Sequence, residues 1–87
     1  MTYYVGSERT AHRFNSIETA RAYSIGQIEE GRYPSIYIGE KRIYYGKVYK
    51  GKNGEYCWTG LSNVSYRINR DGRITGKANE SRRFRRR

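Results

Sequence analysis

Residues 42 to 59, RIYYGKVYKGKNGEYCWT, place two β-prone runs on either side of Asn53-Gly54. Both central residues of a type I′ turn need positive φ, which Asn and Gly tolerate best, so this dipeptide predicts an antiparallel hairpin. With Asn53 and Gly54 as a two-residue turn, Lys52 faces Glu55, Val48 faces Thr59, and Tyr49 faces Trp58. That register sets two large aromatics side by side across the strands. An 87-residue chain has room for one domain, so the remaining elements are expected to share one small core with this hairpin.

Further β-type runs lie on both sides. TYYV (2–5) reads as a short strand, GSERT as a turn and AHRF (11–14) as a strand that pairs back; SIYI (35–38) alternates and GEKR turns into the hairpin. VSYRIN (64–69) alternates with Val64, Tyr66 and Ile68 on one face, and Asp71-Gly72 offers a second turn before Ile74. One segment breaks this pattern. Asn15 and Glu18 have capping-box spacing, with Ser16 as the alternative cap, and Ile17, Ala20, Tyr23, Ile25 and Ile28 then fall on a broad arc of a helical wheel. Gly26 costs that helix about 1 kcal/mol relative to Ala. Gly31 suits the position past its end, and Pro34 forbids continuation. The prediction is an α+β fold: a single antiparallel sheet of four to six strands, with one helix over about residues 16–30 packed on one face. The compact domain is predicted to span residues 1–76, followed by a flexible Arg-rich tail, 77–87.

Its core has little aliphatic material. Three Val, eight Ile, one Leu and two Phe are 14 of 87 residues, below the roughly 20% at which a highly charged chain is suspected of disorder. Ten Tyr and one Trp compensate, since each ring buries on the order of 150 to 250 Å² while its polar end reaches water or a partner. Cys57 is the sole cysteine, so neither an intramolecular disulfide nor a thiolate zinc site is available. No signal peptide and no apolar run of membrane-spanning length is present, and a cytoplasmic, reducing location is expected.

Charge is placed asymmetrically. Residues 1–41 carry five cations and five acids, residues 42–76 seven cations and two acids, and residues 77–87 six cations and one acid, so the whole net charge of +10 lies beyond residue 41. A polyanion-binding surface produces such an imbalance directly. The expected phosphate-binding residues are Arg42, Lys47, Lys50, Lys52, Arg67, Arg70, Arg73 and Lys77, joined by Arg82, Arg83, Arg85, Arg86 and Arg87 of the tail. Six aromatics on three strands cannot all face a thin core, so Tyr44, Tyr49, Tyr56, Trp58 and Tyr66, with Phe84 of the tail, are candidates for stacking on bases or for an interface. Adjacent Tyr44 and Tyr45 are forced onto opposite faces.

Catalytic constellations are absent. His12 is the only histidine, the acids are scattered, Cys57 reads as a buried inert thiol, and the glycines of GKVYKGKNG lack the strand-loop-helix order of a phosphate loop. No enzyme activity, cofactor, metal or membrane partner is expected. The expectation is a small nucleic-acid-binding protein for RNA or DNA. The alternative is a small interaction protein, such as a phage-type or host-directed inhibitor, that docks a basic aromatic face on an acidic or nucleic-acid-handling partner protein.

Overall fold

The computed structural model describes residues 1–6 and 11–78. Its strands are β1 (Tyr3–Val5), β2 (His12–Phe14), β3 (Ser35–Ile38), β4 (Ile43–Lys50), β5 (Tyr56–Gly60), β6 (Ser65–Ile68) and β7 (Ile74–Lys77), and the helix α1 (Ile17–Glu29) falls between β2 and β3. All seven join one antiparallel sheet in the order β2-β1-β3-β4-β5-β6-β7. From β3 onward each strand pairs with the next; the passage through α1 carries the chain from β2 past β1 to β3. The sequence predicts four to six strands, and the excess arises because both short N-terminal runs and the four residues from Ile74 all find a neighbour. Lys77 ends β7, so ordered pairing reaches one residue past the predicted boundary at 76. Of the expected arm, 77–87, residues 79–87 lie outside the described residues.

The hairpin register differs by one from that of a two-residue turn. Gly51 N–H donates to the Glu55 carbonyl (2.6 Å) and Gly54 N–H to the Gly51 carbonyl (3.1 Å), leaving a three-residue loop, Lys52-Asn53-Gly54. Gly54 sits at φ 87°, the left-handed position of a G1-bulge loop. Val48 therefore faces Trp58, and Tyr49 faces Cys57. Because side chains alternate, this slip sends Tyr49 and Trp58 to opposite faces instead of pairing them. The β6–β7 connection repeats the loop: Asn69 N–H donates to the Arg73 carbonyl and Gly72 N–H to the Asn69 carbonyl (both 3.0 Å), with Gly72 also at φ 87°.

Ser16, the alternative cap in the sequence, starts the helix: its Oγ accepts from Thr19 N–H at 3.2 Å. At the other end Gly31 N–H donates to the Ile28 carbonyl and Arg32 N–H to the Gln27 carbonyl, the paired bonds of a Schellman motif, with Gly31 at φ 89°. Between the caps α1 packs Ile17, Ala20, Ile25 and Ile28 on the sheet and buries Arg21 and Ser24 among them, an i, i+3, i+4 stripe in which two positions are polar. Both find a backbone partner: Ser24 Oγ donates to the Ala20 carbonyl (2.9 Å) and Arg21 Nε to the Gly72 carbonyl (2.7 Å). The core they join consists of Val5, Ile36, Val48, Trp58 and Ile68, ringed by Tyr3, Phe14, Tyr23, Tyr45, Tyr56 and Tyr66. Gly46 lets the Trp58 ring lie across β4, since a Cβ there would stand 2.5 Å from that ring.

Candidate nucleic-acid interface

The helix covers one face of the sheet, and among the described residues no element packs over the other. The register determines what that open face presents. Arg13, Tyr4, Tyr37 and Tyr44 follow one another across β2, β1, β3 and β4. Ser35, Lys47, Thr59 and Ser65 form a second row across β3 to β6, and Tyr49, Cys57, Arg67 and Gly76 a third across β4 to β7.

Contacts tie these rows together. Tyr37 and Tyr44 meet edge to face with ring centroids 6.1 Å apart, and the Arg42 guanidinium lies 4.3 Å from the centre of the Tyr4 ring, within cation–π range. Tyr49 OH donates to Ser65 Oγ (2.9 Å), which also shares a hydrogen bond with Thr59 (2.7 Å), so the fourth tyrosine is tied across three strands. Tyr44 is 43% exposed and Lys47 and Arg13 are exposed; Arg67 is half-buried and extends over Gly76, where a Cβ would stand 2.9 Å from its Nη2. Cys57 is buried between Tyr49 and Arg67 in the register. The described carboxylates all lie elsewhere: Glu18, Glu29 and Glu30 belong to α1 and its cap, and Glu40, Glu55 and Asp71 to connections between strands. The rows thus hold four tyrosines and three cations and no acid, and Arg42 joins them through the Tyr4 ring.

The sequence candidates separate into two groups. Arg42, Lys47, Arg67, Tyr44 and Tyr49 belong to the open face, and Tyr45 turns the other way to meet Tyr3 and Trp58 in the core. Trp58 is 6% exposed under the Arg21 guanidinium, which lies 5.3 Å from its ring centre; it is a core residue rather than a platform. Tyr56 and Tyr66 also pack against the core. Lys50 and Arg70 both lie 5.9 Å from the Tyr56 ring centre, Lys52 and Arg73 sit at the hairpin ends, and Lys77 faces Tyr66. Arg82, Arg83, Phe84, Arg85, Arg86 and Arg87 lie outside the described residues.

Electrostatics on the helix side are internally matched. Glu29 accepts from Arg70 and from Tyr56 OH (3.1 Å), and these two hydrogen bonds hold its carboxyl below the usual carboxylate range. The same bond raises Arg70, while burial and then the Glu29 bond push the Tyr56 phenol up. At the β6–β7 turn Arg73 is paired with Asp71 at 3.8 Å. Arg21 is pulled down by burial, against an opposing pull from Glu18.

Sequence reasoning overlooks Tyr4, Tyr37 and Arg13. The signal is present nonetheless: Val5 is apolar at one parity of TYYV and Tyr4 stands at the other, while Ile36 and Ile38 flank Tyr37 in SIYI, so period two places both rings opposite the aliphatic face.

Set against known proteins, the chain matches no protein-family model, no curated protein and no solved structure. Among the described residues no helix is long and apolar enough to cross a membrane.

Proposed function

We propose that the protein is a non-enzymatic nucleic-acid-binding module that lays a single strand across the open face of its sheet. The carrying observation is the coincidence on one face of Tyr4, Tyr37, Tyr44 and Tyr49 with Arg13, Lys47 and Arg67, with no carboxylate in those rows and Arg42 stacked on Tyr4 beside them. A thin core accounts for the tyrosines on the helix side, but not for those facing away from it. Neighbouring strands stand about 4.8 Å apart, so three tyrosines on consecutive strands offer rings across about 10 Å, the reach of a few successive bases. Bases stack on such rings only when their faces are free, which favours single strands over duplex. The flanking cations neutralise phosphates, and the five arginines after residue 81 add charge to the same task.

A second reading uses the same residues. Tyr and Arg are enriched at protein hot spots, and Ile43 and Leu61, 61% and 65% exposed, supply apolar surface that a nucleic acid has no need of, so an inhibitor docking on an acidic protein is the alternative. Titration of mixed-sequence single strands across salt separates the two. The proposal expects log affinity to fall steeply with log salt concentration, and flat binding weaker than micromolar at low salt would exclude it.

A further inference from the structure

At the end of the sheet where α1 hands over to β3, a cleft of about 620 Å³ opens between the helix C-terminus and the ends of β1 and β2. Its volume falls within the roughly 300 to 1,000 Å³ of small-molecule sites. Tyr23, Tyr33 and His12 line it, with Gln27 and Arg32 as polar groups, and Tyr37 of the open face borders it. Among the described residues the lining contains no acid, although Glu30 pairs with Arg32 beside it.

Tyr33 is the informative residue. Its side chain is 96% exposed, so packing does not explain it, yet its backbone is fixed on both sides. The Schellman bonds of Gly31 and Arg32 precede it, and buried Pro34, which restricts the residue before it, follows. The backbone sets where the ring stands at the cleft mouth, and both of its faces are open to a stacking partner. Deeper in, Tyr23 is anchored by its hydroxyl to His12 Nδ1 (3.1 Å), with the two rings 4.9 Å apart, so that wall is fixed as well. The Gln27 amide, which also approaches Arg32 Nη1 at 3.4 Å, carries both donor and acceptor capacity of the kind that reads a base edge. Arg32 itself is exposed, and its pair with Glu30 is a surface pair of the kind worth little, which a phosphate can displace.

From this we infer a second binding site that takes one nucleobase: a planar nitrogen heterocycle stacked on Tyr33, its edge toward Gln27 and its sugar-phosphate toward Arg32. The base can come from a free mononucleotide or from the end of a bound strand. The site does not rest on the open-face reading.

The test is NMR titration of the full chain with AMP and UMP, with the corresponding nucleosides, and with ribose 5-phosphate as the ring-free probe. Nucleotides and nucleosides should move the Gly6, His12, Gln27 and Tyr33 amides saturably, and ribose 5-phosphate should not. Tyr33→Ala, at a fully exposed ring, should weaken both by at least about fivefold, the lower end of one base–ring stack. Arg32→Ala should weaken nucleotides and leave nucleosides unchanged. Equal shifts with ribose 5-phosphate, shifts confined to Tyr44, Lys47 and Tyr49, or an unaffected Tyr33→Ala variant overturn the assignment. Adding a short single strand with and without a 5′ phosphate distinguishes the two sources. If strands move the open face while mononucleotides leave the cleft still, the cleft falls and the face reading stands; the reverse result removes the face reading and keeps the cleft.

Discussion

Gly54 and Gly72 occupy the same place in the same three-residue loop, at the same φ of 87°, but their surroundings differ. Around Gly54 a Cβ would find open space, whereas at Gly72 it would stand 2.0 Å from the Glu18 carbonyl oxygen and 3.0 Å from Ala22 N. Gly54→Ala should therefore cost only left-handed strain, about 1 to 2 kcal/mol. Gly72→Ala adds a clash with helix backbone, and the total should reach about 2 to 5 kcal/mol. Denaturant midpoints of the two variants measure the difference, and equal losses would mean that the β6–β7 loop does not dock on α1. Arg21 tests the same contact from the helix side. Arg21→Met keeps bulk over Trp58 but strips the Gly72 carbonyl of its buried donor, so a loss of about 1 to 3 kcal/mol is expected in the same assay.

As an element, the β6–β7 hairpin is tied to α1 at two points: the Gly72 contact near the helix start, and the Arg70–Glu29–Tyr56 cluster near its end. The second responds to pH. Glu29 titrates below an ordinary carboxyl in the folded protein, so its contribution is fully present above the unfolded value and is lost as pH falls through the lower, folded one. Glu29→Gln should melt below the wild type at neutral pH, and thermal melts from pH 7 to 3 should show the gap closing in the acid range; a gap constant with pH would argue against the cluster. Much of this level was legible in the sequence. The Gly31 and Pro34 signals end the helix where the chain does end it, and strand alternation separates Tyr44 from Tyr45. Loop length was not legible, because Asn-Gly and Asp-Gly serve two-residue and three-residue loops alike, and that single residue decides whether Tyr49 or Trp58 faces outward. The buried Arg21 was hidden for a different reason: its partner is a backbone carbonyl 51 positions away, which no local pattern announces. Tyr4 and Tyr37 join the candidate site only because β1 and β3 are neighbours in the sheet, a pairing that neither short run encodes by itself.

For the whole molecule, the two faces handle charge differently. On the helix side Arg70 and Arg32 sit beside Glu29 and Glu30, and at the β6–β7 turn Arg73 sits beside Asp71, while the open face gathers cations around tyrosines. Truncation after Ala78, which preserves β7, removes five arginines and one acid; the salt dependence of single-strand binding should flatten by about 0.7 in log–log slope for each phosphate that the arm neutralises in the full chain. The central claim concerns the face rather than the net charge, and two double variants that remove equal charge separate them. Lys47→Ala/Arg67→Ala strips the open face, and Lys52→Ala/Arg73→Ala strips the hairpin ends. With a mixed-sequence single strand titrated at several salt concentrations, the first pair should bind at least about tenfold more weakly, with a slope shallower by roughly 1.4, while the second stays within about twofold of wild type. Equal losses from both pairs, or the larger loss from the hairpin pair, would contradict binding across the open sheet face.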